Sequence, residues 1–145
     1  MLFYQGEDIF FSLPGYDLLT LSRADTGSRG GGVGLYIQHN LNYRMRSDLS
    51  RMSDYIEVIV VEVTRKGSPN LLLVSAYRTQ DTDVDTFNTI FDNLLKQMML
   101  NNKMLILGCD LNIVLLKIDN HFPSCNFLIF LWHIMYTILL LNLLE

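Results

Sequence analysis

Tyr55-Ile56-Glu57-Val58-Ile59-Val60-Val61-Glu62-Val63 is the stretch on which the fold turns. It is rich in β-branched residues. In an extended chain Ile56, Val58 and Val60 share one face, and Ile59, Val61 and Val63 share the other. Apolar residues on both faces place such a strand in the middle of a covered sheet. Lys66-Gly67-Ser68-Pro69-Asn70 then reads as a turn and Leu71 to Tyr77 as a second apolar strand, so residues 55–77 predict a hairpin.

Downstream of the hairpin the period changes. Val84, Phe87, Ile90, Phe91, Leu94 and Met98 recur at helical spacing. Thr82 or Asp83 can cap this helix, Asp85 lies in its first turn, and Asn101-Asn102 ends it. Met104 to Leu107 predicts a further buried strand, running into Gly108-Cys109-Asp110. Upstream, the turn Leu13-Pro14-Gly15 leads into a strand from Tyr16 to Leu21. A Gly- and Ser-rich loop, Asp25 to Gly32, then precedes a strand from Val33 to Ile37. The order strand, strand, hairpin, helix, strand defines an α/β (α+β) layered domain rather than a helical bundle.

The chain has 145 residues, enough for one ordinary domain, and half of it is apolar, enough for a real core. Its net charge of −4 is the wrong sign for a broad nucleic-acid footprint. A nucleic-acid role must therefore rest on a local site. Cys109 and Cys125 make neither a disulfide framework nor a zinc spacing, which fits a reducing compartment. The opening residues, Met1 to Asp8, show no basic and apolar signal pattern. Phe127 to Leu144 is almost wholly apolar and about long enough to cross a bilayer. It lacks the basic flanks of a span, and a buried terminal helix or a non-native tail is the favoured reading.

Chemistry is concentrated at two predicted strand ends. Asp110 and Asn112 stand at i and i+2, so in an extended segment both side chains point the same way. A carboxylate that can deprotonate a water, beside a carboxamide that can orient a phosphate oxygen, suits metal-assisted phosphoryl chemistry. The same residue types also build ordinary turns. Tyr77 and Arg78 could both donate to a phosphate, or serve as an interfacial phenol and a solvated cation. Arg29-Gly30-Gly31-Gly32 is not a phosphate-binding P-loop, because no GK[ST] follows, and it reads as a tight turn into the strand at Val33. His39 and His121 are isolated and read as surface residues.

Taken in order, Leu13-Pro14-Gly15-Tyr16, Arg29 to Ile37, Glu57 to Val63, Ala76-Tyr77-Arg78, the helix around Phe87, and Leu105 to Ile113 form a succession of six motifs. This succession resembles the endonuclease domain of jockey-like non-LTR retrotransposons, a branch of the endonuclease/exonuclease/phosphatase superfamily. The resemblance runs from about Leu13 to Asn126. It implies a domain over residues 1–126, a partial four-layer α/β sandwich, followed by the apolar segment 127–145. It implies hydrolysis of phosphodiesters with magnesium, DNA as partner, and an intracellular setting. Carried over by position, Tyr77 contacts the scissile phosphate, Asp110 positions or deprotonates the attacking water, and Asn112, with Arg78, binds phosphate.

The sequence also departs from that pattern. The family's metal-binding Glu lies on an early strand well before the Pro-Gly turn, where Glu7 is too close to serve. The family's late Asp and His have no counterpart, since His133 sits in the apolar run without an Asp. Cys109 stands where the family has Gly, and Thr79-Gln80 where it has prolines. Three readings follow: a phosphodiesterase that is weak or inactive, a non-catalytic remnant that still binds phosphate or nucleic acid, and a small protein tethered to a membrane by 127–144. The geometry that bears on them is whether Tyr77, Asp110 and Asn112 converge on one pocket.

Overall fold

The computed structural model describes residues 12–23, 31–100 and 103–113. Expectations placed on Glu7, Arg29-Gly30, Asn101-Asn102, His121, Cys125, His133 and residues 127–145 lie outside them. The elements run β1 (Tyr16–Ser22), β2 (Gly32–Gln38), β3 (Tyr43–Met45), β4 (Arg51–Met52), β5 (Ile56–Val63), β6 (Leu71–Arg78), α1 (Val84–Met99) and β7 (Met104–Asp110).

β5 takes the central place its composition predicts, and all eight of its residues are buried. β6 pairs with it antiparallel, from Ile56 opposite Arg78 to Val63 opposite Leu71, which is the expected hairpin. β3 and β4 pair with its other edge. These two short strands had no signature in the sequence, being only three and two residues long and containing Arg44 and Arg51. β7 adds parallel to β6, with α1 as the crossover that a parallel connection requires. β1 and β2 form a separate antiparallel pair.

α1 begins where Asp83 accepts the backbone N–H of Thr86 at 2.7 Å, so Asp83 rather than Thr82 is the N-cap. Asp85 in the first turn and Lys96 in the last complement the helix dipole. Its stripe of Phe87, Phe91, Leu94, Leu95 and Met98 packs on Ile56, Val58, Val60, Leu72, Val74 and Ala76 to make the main core. Each such large side chain contributes roughly 1.5–3 kcal/mol by leaving water. The opposite face of β5, with Ile59, Val61 and Val63, is buried together with Val33 and Ile37 of β2. The described residues thus stack helix, five-stranded sheet and two-stranded sheet, an α/β layering of the expected class.

Two carboxylates lie inside this core strand. Glu57 is fully buried and Glu62 nearly so. Alternation puts them on opposite faces, Glu62 with Ile56, Val58 and Val60, and Glu57 with Ile59, Val61 and Val63. A buried carboxylate must be paired or hydrogen-bonded to remain charged, and each of these has its own set of partners.

Candidate active site

The pairing of β5, β6 and β7 sets Glu57 opposite Tyr77 and Tyr77 opposite Asp110. Residues directly opposite one another share a face of the sheet. With strands about 4.8 Å apart, the three form a row roughly 10 Å long at one end of the sheet. The row faces β1 and β2. Tyr77 and Asp110 line a cavity of about 350 Å³, together with Leu18, Gly32, Tyr36 and Ser75.

Glu57 closes one end of the row. Its Oε2 accepts the backbone N–H of Gly32 at 2.8 Å, and Arg23 Nε lies 2.5 Å from its Oε1 as an ion pair, without the alignment of a hydrogen bond. Arg23 reaches on to donate to Thr79 Oγ1 at 2.7 Å, joining the end of β1 to the exit of β6. The Gly-rich stretch is shaped by this pair. Gly31 has φ +89°, and a Cβ there would stand 2.9 Å from Glu57 Oε1 and 3.2 Å from Arg23 Cδ. Gly31 makes room for an internal ion pair.

Asn112 is close to Asp110 but not in the way strand alternation suggests. β7 ends at Asp110, and Asn112 has φ +48°, so the extended geometry stops between them. Asp110 Oδ1 accepts the Asn112 backbone N–H at 3.2 Å in an Asx-type turn. The Asn112 carboxamide donates to the Arg78 carbonyl at 2.8 Å, tying the β7 exit to β6. The turn that the residue types allow is therefore the conformation present, and the carboxamide nitrogen is engaged by backbone.

Arg78 is placed apart from the cavity. It follows Tyr77 within a strand, so the two side chains leave opposite faces. Its buried guanidinium donates to the carbonyls of Thr82, Leu111 and Asn112, clamping three loop carbonyls on the helix side of the sheet. Cys109 is exposed rather than buried. Partial desolvation, and then the charge of Asp110, push its thiol up, which keeps it in the unreactive protonated form. Its φ is not positive and it pairs regularly with Ala76, so the Cβ in place of Gly brings no backbone strain.

Sequence reasoning missed Glu57 and Arg23 as parts of this region. The available signal was an acid inside an otherwise apolar central strand, which needs a nearby cation. His39 lies beside Asp17 at 3.3 Å on the surface, as its isolation suggested. For magnesium, the described residues supply a poor donor set. Glu57 is committed to Arg23 and Gly32, Asp110 is the remaining carboxylate at the cavity, and no trio of His, Cys, Asp or Glu among the described residues is arranged to hold a metal. They do not by themselves form a magnesium site.

The described residues form an α/β layered domain, and a solved structure shares this fold. The chain matches the endonuclease domain of TRAS1, a telomere-specific non-LTR retrotransposon, with a TM-score of 0.60 and 17% identity, over 83% of this chain and 53% of that one. The chain spans about half the length of that domain. No family model matches the sequence, and no curated protein matches it.

Proposed function

We propose that the cavity over β6 and β7 is a phosphodiester-hydrolysing site of endonuclease type, with DNA as substrate. The observation that supports this reading is the Tyr77–Asp110 register pair, which brings a phenol and a carboxylate side by side into one cavity. In the proposed step a water oxygen attacks phosphorus, its proton passes to Asp110, and the bond from phosphorus to the leaving oxygen breaks. The leaving oxygen departs as an alcohol after taking a proton from solvent. The Tyr77 hydroxyl donates to a non-bridging phosphate oxygen as charge builds there. Asn112 fixes the Asp110 segment through its bond to the Arg78 carbonyl. Magnesium enters only as what the family resemblance implies; the described residues do not by themselves hold it, and the step is drawn on the chain's own groups.

A second reading has its own support. Among the described residues no Lys or Arg lines the cavity, and the Arg78 guanidinium donates to carbonyls on the other side of the sheet. A cavity without a lining cation poorly neutralises the charge that builds on phosphate in the transition state, which favours a non-catalytic relative. Supercoiled plasmid incubated with the purified chain separates the two. Nicking in magnesium that EDTA abolishes, and that falls about 100-fold or more in Asp110→Ala, supports hydrolysis. Nicking that persists unchanged in Asp110→Ala refutes this site. A wild-type chain that binds labelled duplex but never nicks it supports the second reading. The membrane-tether reading concerns residues outside those described; among the described residues no helix is long and apolar enough to cross a membrane.

A further inference from the structure

The end of the sheet away from the cavity carries the opposite charge balance. Glu62 Oε2 accepts Arg44 at 2.8 Å and Arg46 at 2.9 Å, while its Oε1 meets Lys103 at 2.6 Å and Asn70 Nδ2 at 2.8 Å. One carboxylate thus holds three cations. Arg46 also pairs with Asp48. Arg65, in the β5–β6 turn, donates to the Pro69 carbonyl and reaches Met104 Sδ, which brings it to the same end. Lys66 is exposed beside it. Among the described residues five cations therefore face two acids here, in a chain whose net charge is −4. The next acid, Asp17, hydrogen-bonds Tyr43, whose side chain leaves the other face of β3. Midway along α1, Asp92 is already paired with Lys96.

A buried carboxylate requires one compensating charge. The further cations raise the self-energy of the cluster unless an external anion faces them. Arg44 holds its bond to Glu62 while its side chain stays 68% exposed, so it can meet such an anion. Arg44, Arg46 and Lys103 converge on Glu62, while Arg65 and Lys66 carry the positive surface on into the β5–β6 turn. A phosphodiester strand carries a charge about every 3.4 Å and so can meet the exposed Arg44 and the exposed Lys66 together. The cavity row lies about 20 Å away along the strands, from Leu71 to Tyr77.

We propose that this pole, formed by Arg44, Arg46, Arg65, Lys66 and Lys103, is a sequence-independent docking surface for a nucleic-acid phosphodiester backbone. It is separate from the cavity, and the proposal does not depend on hydrolysis there. The test is fluorescence anisotropy of the full chain with a labelled DNA duplex at several salt concentrations between about 50 and 200 mM. Wild type should bind, with log affinity falling linearly against log salt. Arg44→Gln/Lys66→Glu should weaken binding at least about tenfold at the lowest salt and flatten the salt slope by about two. Lys66→Glu alone, in an exposed turn that disturbs no core contact, should flatten it by about one. Arg51→Gln, which removes an exposed cation outside this pole, should leave affinity within about twofold. Unchanged affinity and slope in the Lys66 variants would overturn the proposal. So would equal or tighter binding of a labelled acidic peptide, which would make this a protein-binding surface. Because binding is read without turnover, a chain that never nicks plasmid still gives a decisive result here.

Discussion

Gly31 shows how one residue's backbone is dictated by a contact far away in sequence. Its φ of +89° is strained for any L side chain, and the Glu57 carboxylate occupies the space a Cβ would need. Gly31→Ala should therefore cost roughly 2 kcal/mol or more, combining strain with displacement of the Glu57–Arg23 pair. Gly67, also left-handed at φ +69° but with nothing within 4 Å of its missing Cβ, is the control. Gly67→Ala should cost only about 1 kcal/mol, the backbone term alone. Urea denaturation of the two variants measures the difference, and equal losses would mean that Gly31 is there for its turn alone. Tyr77 and Arg78 carry the other lesson at this scale. Adjacent strand residues cannot serve one pocket, so alternation assigns the phenol to the cavity and the guanidinium to the helix side.

Among the elements, α1 was the most readable, because its apolar spacing, its cap and its first-turn acid agree with one another. Phe87 and Phe91 stack with centroids 5.3 Å apart, and both are fully buried against β5 and β6. Phe91→Ala should lower stability by about 3–5 kcal/mol, enough to leave a domain of this size largely unfolded at moderate temperature. Leu100→Ala, one residue past the helix and 85% exposed, should change stability by less than about 0.5 kcal/mol. Thermal or urea melts of both variants check the pair. Comparable losses would mean that the helix is held by its own propensity and not by its buried face. β3 and β4 stand at the other extreme. They are strands because the exposed edge of β5 offers hydrogen bonds, and no periodicity of their own announces it.

For the molecule as a whole, charge and surface are unevenly distributed. Burial alone would raise the Glu62 carboxyl, but Lys103, Asn70, Arg44 and Arg46 outweigh it and hold it well below the usual carboxylate range. A depressed folded-state value means that Glu62 stabilises fully above the unfolded glutamate value of about 4.3, and that this is lost as pH falls through the folded value. Urea midpoints between about pH 3 and 6 should therefore drop on acidification in wild type, and drop less steeply in Glu62→Gln. Parallel slopes would show that Glu62 titrates normally. The apolar surface is uneven too. β2 packs across β5 and β6, while Met104 and Ile106 on the same face of β7 are each just over half exposed. A half-open apolar edge strand favours self-association. Ile106→Thr should reduce light scattering at high concentration with little change in melting temperature, and scattering that stays the same would place the sticky surface elsewhere.

The sequence by itself determined the central strand, the hairpin, the helix with its capped start and the closing strand. The central strand and the helix are written in a local period that burial then enforces, in the apolar run of Ile56 to Val63 and the spacing from Val84 to Met98, whereas β7, expected to be buried, leaves Met104 and Ile106 about half exposed. The candidate site was legible only in part. Tyr77 and Asp110 could be marked as strand ends, but their meeting depends on a register between β6 and β7 that no single segment encodes. Tertiary structure alone decided that Glu57 completes their row, that Arg23 reaches it from β1, and that three cations gather on Glu62. A buried charge is compatible with its strand only through partners distant in the chain, so its role becomes visible only when those partners are in place.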